Sequence, residues 1–259
     1  MFAMLEFYLD DSGTHAGSRV VVWGGVVGFS QFFEELETAW KARLACPCEG
    51  KPPIKAFHSA HLAAGEGEFE GYNIAERDLT RRNFRQVIVD AGLTVLSYGI
   101  SVDDWDTVIT GRARMFLGSA ERHIFGHAVL AGCEAAKEHG QPVSFQFDRG
   151  RHSSRLESVI GPAMQAAEID GHSVSHGFSP VIDNMGLQAA DLVAHETYQF
   201  FNEYIDNRSA QIGAHLRSLF EGVHDARAAW IGKEQFQDVA DRIDALIENI
   251  NRSVDGQAE

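Results

Sequence analysis

Leu5, Phe7 and Leu9 alternate with Glu6, Tyr8 and Asp10 until Asp11-Ser12-Gly13 supplies turn residues. The chain therefore opens on a strand of period two that delivers acids at its end. Residues 19–28 form an almost unbroken, valine-rich apolar run, as expected of a strand buried on both faces, and the two suggest an antiparallel pair. From Ser30, a candidate N-cap, Phe32, Phe33, Leu36, Trp40 and Leu44 recur at helical spacing up to Cys46-Pro47. Residues 46–72 carry Pro47, Pro52, Pro53, several glycines and an acidic stretch. They read as an irregular excursion on the surface, with only the middle piece, Ile54 to Leu62, able to pack.

Asn73 followed by Glu76 predicts a capping box, and Ile74, Leu79, Phe84, Val87, Ile88 and Ala91 give the second helix its stripe before Gly92. A strand over 93–102 and a helix from Ser119 to Gly140 follow, with Arg112 and Arg114 in the loop between them. Val143, Phe145 and Phe147 then alternate with Ser144, Gln146 and Asp148, so a strand again ends in an aspartate. A helix over about 153–169, a short strand over 173–178 and a helix from near Asn184 complete the pattern. On that last helix Leu187, Ala190, Ala194 and Phe201 make the buried stripe, while Gln188, Asp191 and His195 share a neighbouring face. Beyond Gln211 the pattern gives one or two amphipathic helices, 239–250 among them, whose stripe either covers the core or forms a homo-oligomer contact. The expected fold class is α/β. Residues 1–206 make a core with its excursion at about 46–72, and residues 207–259 make a helical extension packed on the same domain.

Composition narrows the function. The 259 residues hold 22 Lys plus Arg against 37 Asp plus Glu, a formal charge of −15, which excludes a broadly basic nucleic-acid scaffold. With 44% hydrophobic content the chain is not a disordered one. It shows neither a basic leader nor an apolar run approaching the roughly 18 residues of a membrane span, so a cytoplasmic protein with no membrane partner is expected. Cys46, Cys48 and Cys133 fit no disulfide or zinc spacing and read as reduced thiols. No Gly-x-Ser-x-Gly elbow or Walker sequence occurs, and His195-Glu196 lacks the second histidine of a zincin. His123 and His127 lie four apart, a spacing that fits a metal pair but fits two partly exposed histidines better. Gly24-Gly25 reads as close packing or a bulge rather than a phosphate loop.

Two strand-end aspartates and one helix-borne aspartate are what a hard divalent ion needs if the fold gathers them, because Mg²⁺ and Mn²⁺ take oxygen ligands and bring phosphates with them. Taken singly, each strand-end aspartate reads better as a turn residue or cap than as a ligand. The motifs go further. Tyr8-Leu9-Asp10-Asp11-Ser12-Gly13-Thr14, Phe57-His58, Phe147-Asp148-Arg149-Gly150 and Leu187-Gln188-Ala189-Ala190-Asp191-Leu192-Val193-Ala194 occur in this order over residues 5–206. Together they resemble the domain of unknown function 3800 family, itself similar to the ribonuclease H superfamily.

The resemblance implies a mixed sheet flanked by helices whose acids meet at one edge. It implies Asp10, Asp148 and Asp191 as catalytic metal ligands for Mg²⁺ or Mn²⁺. Asp11 is either a further ligand or the cap of the turn at Ser12-Gly13. Gln188 either orients Asp191 or bonds to backbone, and His58 either positions a water or phosphate or is a structural histidine. His195 and Glu196 stand beside them as residues supporting the ligands or meeting substrate. An acid often precedes the motif histidine by two positions, where this chain has Ala56, so a fourth ligand falls to Asp11, Glu196 or water. Arg81, Arg82 and Arg85 cluster on the second helix as either a nucleic-acid contact or a solvated face. The expected activity is hydrolysis of a nucleic-acid phosphodiester by a metal-activated water. The alternative is a non-catalytic binding or regulatory module of a defence or mobile-element system.

Overall fold

The computed structural model describes residues 4–149, 160–161, 174–207, 214–223 and 225–255. Its centre is a six-stranded sheet made of β1 (Leu5–Ser12), β2 (Val20–Phe29), β3 (Thr94–Ser101), β4 (Val143–Asp148), β5 (Val174–Ser179) and β6 (Ala226–Ile231). The spatial order is β5-β4-β1-β2-β3-β6. Strand β2 runs antiparallel to β1 and β3, whereas β1 pairs parallel with β4, β4 with β5, and β3 with β6. Every strand but β2 therefore points the same way, and the carboxyl ends of β1, β4, β5, β3 and β6 share one edge.

The helices are α1 (Ser30–Ala45), α2 (Ser59–Ala64), α3 (Ile74–Asp90), α4 (Val102–Val108), α5 (Gly111–Leu117), α6 (Ala120–His139), α7 (Met185–Asp206), α8 (Ala214–Gly222) and α9 (Lys233–Asp255). They cover both faces, the mixed α/β arrangement expected from the sequence. One core packs Phe7, Leu9, Trp23, Phe145 and Phe147 against Trp105 of α4, Phe125 of α6 and Phe236 of α9. The other packs Val26 and Val95 against Phe33 and Trp40 of α1, Phe84 of α3 and Leu192 of α7. Strand β2 lies between the two layers, which is why its residues Val20–Val27 are all buried.

Local chemistry sets the element ends. Asn73 Oδ1 accepts from Glu76 N at 3.0 Å while Asn73 N donates to Glu76 Oε2 at 2.8 Å, closing the capping box on α3. Ser119 and Asn184 cap α6 and α7 by accepting from Arg122 N and Leu187 N. Ser30 is not a cap: α1 begins on it, and its hydroxyl donates to Glu6 Oε1 at 2.5 Å. The β1–β2 turn needs Gly13 at φ +82, where a Cβ would stand 2.1 Å from Val20 O.

Three regions depart from the expectation. The excursion at 46–72 is bound into the second core through Cys48, Ile54, Phe57, Leu62, Phe69 and Tyr72, well beyond its middle piece. Arg112 and Arg114 lie on the short helix α5 rather than in a loop. The segment after 207 is not purely helical, because Ala226–Ile231 joins the sheet as β6 beside β3. Of the helix expected at about 153–169 only residues 160–161 are among those described, and both are helical. No helix among those described is long and apolar enough to cross a membrane, and Cys46, Cys48 and Cys133 are free thiols.

His123 tilts against the Trp105 ring at 4.6 Å between centroids, with its Nε2 buried and without a hydrogen-bond partner among the described residues. Burial, helped by His127, pulls its imidazole down from 6.5 to about 4. A histidine depressed in this way adds stability above its unfolded value near 6.5, and that stability is lost as pH falls towards 4. His123→Leu is expected to flatten the drop in Tm across that window. An acid limb as steep as the wild type's in thermal melts would refute it.

Candidate functional site

Leu9 of β1 stands beside Phe147 of β4 in parallel register, so the next residues along, Asp10 and Asp148, are neighbours at the carboxyl edge. Both alternate away from the face of Phe7, Leu9, Phe145 and Phe147, and therefore face α7. Helix α7 reaches them because it lies on the sheet at backbone contact. A Cβ on Gly24 would come within 2.6 Å of Ala194 Cα, so the Gly24-Gly25 pair is close packing. Asp191, one turn before Ala194, is thereby lowered to the edge.

The electrostatics register this convergence. Burial first, and then the charges of Asp191, Asp11 and Asp148, push the Asp10 carboxyl well above the ordinary carboxylate range, against a backbone hydrogen bond from Asp11. Three carboxylates from β1, β4 and α7 thus act on a fourth, that of Asp10.

Their orientations are fixed by donors. Asp148 Oδ1 accepts from Val181 N at 3.0 Å, and Asp191 Oδ2 accepts from Ser59 N at 2.6 Å. Thr14 Oγ1 donates to Asp11 Oδ2 at 2.6 Å, which makes Asp11 the brace of the turn. Gln188, fully buried, ties these pieces together. Its Oε1 accepts from Trp40 Nε1 and Phe57 N, each at 2.9 Å, and its Nε2 donates to Val181 O at 3.1 Å and Ile182 O at 3.2 Å. The amide uses both lone pairs and both protons. It anchors the segment that holds Asp148 and the segment that holds Asp191.

His58 Nδ1 lies 3.9 Å from Asp191 Oδ1, beyond hydrogen-bond reach, and the ring stacks on His61 at 4.5 Å. Both His58 Nδ1 and the hydroxyl of Ser59 are buried without a hydrogen-bond partner among the described residues. On α7, His195 is pulled below its ordinary value by burial, with Asp191 opposing and Arg81 and His58 adding to the shift.

The arginines divide. Arg85 is 4% exposed; its Nη2 sits 3.7 Å from Glu196 Oε1 and its Nη1 donates to Ser218 Oγ at 2.6 Å. Arg81 Nε lies 3.5 Å from the same Glu196 oxygen, and its Nη1 lies 3.2 Å from Asp78. Only Arg82 of the three is exposed. Glu196 is therefore engaged by two guanidiniums, and Arg85 is a buried partner within the molecule rather than a surface contact. The backbone donors Val181 N and Ser59 N have no signal in the sequence, since any residue but proline supplies an N–H.

The donor set is oxygen-rich, which suits Mg²⁺ or Mn²⁺ better than a thiol-seeking or imidazole-seeking ion. Among the described residues no three His, Cys, Asp or Glu side chains are drawn together closely enough to hold an ion as they stand. The carboxylates are near enough to repel yet not closed on one point. Repulsion of this kind, unrelieved, keeps such groups apart, and a cation between them reverses its sign.

No family model matches the chain and no curated protein matches it. Among solved structures, the chain is similar to a chain in the PCNA:RNase HII complex from Archaeoglobus fulgidus. The TM-score is 0.40 and the identity 11%, covering 84% of this chain and 87% of that one. This likeness assigns no residue a role. The domain of unknown function 3800 resemblance rests on its motifs.

Proposed function

We propose that the chain is a divalent-metal-dependent phosphodiesterase or nuclease acting on nucleic acid. The observation that supports this reading most is the field at Asp10, to which Asp191, Asp11 and Asp148 all contribute. Acids on separate elements are brought to one edge at an electrostatic cost that a bound cation offsets. Asp10, Asp148 and Asp191 would hold Mg²⁺ or Mn²⁺. When bound, the ion supplies positive charge that activates water and stabilises the leaving oxygen of a phosphodiester.

The chain's own residues do the positioning. Val181 N and Ser59 N each occupy one carboxylate oxygen and aim the other, and Gln188 fixes both donor segments. His58, half-exposed beside Asp191, is placed to meet a phosphate or a water. The rival reading is a non-catalytic binding or regulatory module, and the open spacing of the carboxylates favours it.

Metal titration separates the two. An ion at one hundred times its Kd adds about 2.7 kcal/mol to the native state, which for a domain of this size is roughly 5–10 °C in Tm. We expect Mn²⁺ or Mg²⁺ at millimolar concentration to raise the Tm of the wild type and not that of Asp148→Asn. Cleavage of labelled single-stranded, duplex and hybrid oligonucleotides should follow the same pattern. A melting temperature indifferent to both ions would support the module.

A further inference from the structure

We propose that His123 and His127 of α6, with Glu234 of α9, form a second metal site that takes a borderline divalent ion, Zn²⁺ before Mg²⁺. It stands apart from the carboxylate edge. Asp10 and Asp148 face α7, whereas α6 lies on the opposite face of the sheet, where its Phe125 is buried with Trp23 and Phe147. The site therefore neither uses nor depends on the nuclease reading.

Histidines four apart share one side of a helix, and here the two rings meet, 4.7 Å between centroids. Two nitrogens on a tetrahedral Zn²⁺ stand about 3.4 Å apart, given bonds of about 2.1 Å, a separation that rings this close can present. His123 Nε2 is buried with no hydrogen-bond partner among the described residues, and a bound ion supplies the partner it lacks. Burial, and then His127, keeps His123 unprotonated at neutral pH, the form that ligates metal. His127 is exposed, which leaves an ion a way in.

Helix α9 supplies the oxygen. Both imidazoles line a cavity of about 640 Å³ together with Glu234 and Asp238. Trp105 joins the two helices, its ring 4.6 Å from that of His123 and 5.3 Å from that of Phe236, so the start of α9 is held beside the histidines. Asp238 is paired with Arg242 at 2.9 Å. Glu234 forms no ion pair among the described residues, and it is the acid able to swing onto an ion. The three side chains do not close on one point as they stand. Rotation of the long glutamate brings its carboxylate in, and water completes the fourth position. Two imidazoles and a carboxylate suit Zn²⁺, whereas Mg²⁺ asks for oxygen alone. An ion here ties α6 to α9 and so clips the C-terminal helix to the core.

The test is calorimetric titration of the full chain, stripped of metal, with zinc, nickel and magnesium chlorides, beside thermal melts with each ion. Wild type and Asp148→Asn should alike bind Zn²⁺ at this site and melt higher for it. His127→Ala, a change at an exposed position, should lose about 100-fold or more in Zn²⁺ affinity, beyond the 10- to 100-fold that an outer partner of a ligand is worth. Glu234→Gln should lose about tenfold. Ni²⁺ should follow Zn²⁺ through the variants, and Mg²⁺ should not respond to either histidine or Glu234. Co²⁺ in place of Zn²⁺ should show the visible absorption of a nitrogen-ligated, low-coordinate ion in wild type and lose it in His127→Ala. A wild type that takes up no Zn²⁺, or a His127→Ala variant that binds it unchanged, overturns the proposal. So does a Zn²⁺ response that Asp148→Asn removes and His127→Ala keeps, which would put the ion at the carboxylate edge. Wild-type affinity in Glu234→Gln overturns the third ligand. None of these results touches the nuclease reading, whose ions are Mg²⁺ and Mn²⁺.

Discussion

Asp10→Asn is expected to abolish metal-dependent cleavage while raising the Tm of the metal-free protein. The two effects have one cause. Asp10 sits half-buried among Asp191, Asp11 and Asp148, and its carboxyl is raised well above the ordinary range. A carboxylate with a folded pKa above its unfolded value near 3.9 leaves the fold most stable below that value, and stability is lost as pH rises through the folded pKa. Removing the charge removes this loss. The gap between Asp10→Asn and wild type in EDTA should therefore widen as pH rises from about 4, each 1 kcal/mol appearing as roughly 2–4 °C.

With saturating Mn²⁺ the order should invert, because the wild type gains the ion's binding energy and the variant does not. Cleavage should fall by about 10³-fold or more, the loss expected when several kcal/mol of charge stabilisation go. A variant less stable than wild type in EDTA, or one that still cleaves, contradicts the account.

How much of this was legible in the sequence depends on the physical range of each signal. Period-two alternation ending in aspartate announced β1 and β4, and parallel register then made Asp10 and Asp148 neighbours. The stripe of Leu187, Ala190, Ala194 and Phe201 announced α7, since all four are buried. These are short-range patterns that tertiary contacts reinforce.

What the sequence concealed is long-range. β6 reads Ala-Arg-Ala-Ala-Trp-Ile, an alanine-rich stretch of low strand propensity that pairing with β3 overrides. Helices α4 and α5 are too short to show periodicity. The arginine cluster looked like one face, yet Arg85 turns inward to Glu196 and Ser218 while Arg82 turns to solvent. Glu196, which the resemblance offered among the candidates for a fourth ligand, lies 3.5 Å from Arg81 and 3.7 Å from Arg85, contacts that no sequence pattern announces.

Gln188 is where the concealed part matters most, and its substitution gives the largest expected loss of stability. Gln188→Ala strands Trp40 Nε1 and Phe57 N as buried donors, and deprives Val181 O and Ile182 O of a partner. At about 1–3 kcal/mol for each orphaned group that stays dry, the cost is on the order of 3–5 kcal/mol. Gln188→Glu keeps the shape and both acceptor bonds but sets an oxygen against the two carbonyls. Burial would raise such a carboxyl above its unfolded value near 4.3, so its stability should be best in acid and decline as pH rises, whereas the alanine variant should show no such slope. Both variants should also weaken the metal response without touching an ion. Val181 N aims Asp148, and the strip from Phe57 to Ser59 aims Asp191; loosening both should raise the Mn²⁺ concentration at half-maximal Tm increase by about 10- to 100-fold. If Gln188→Ala melts with the wild type, or takes up Mn²⁺ at the same midpoint, the carboxylates are being aimed by something other than this amide.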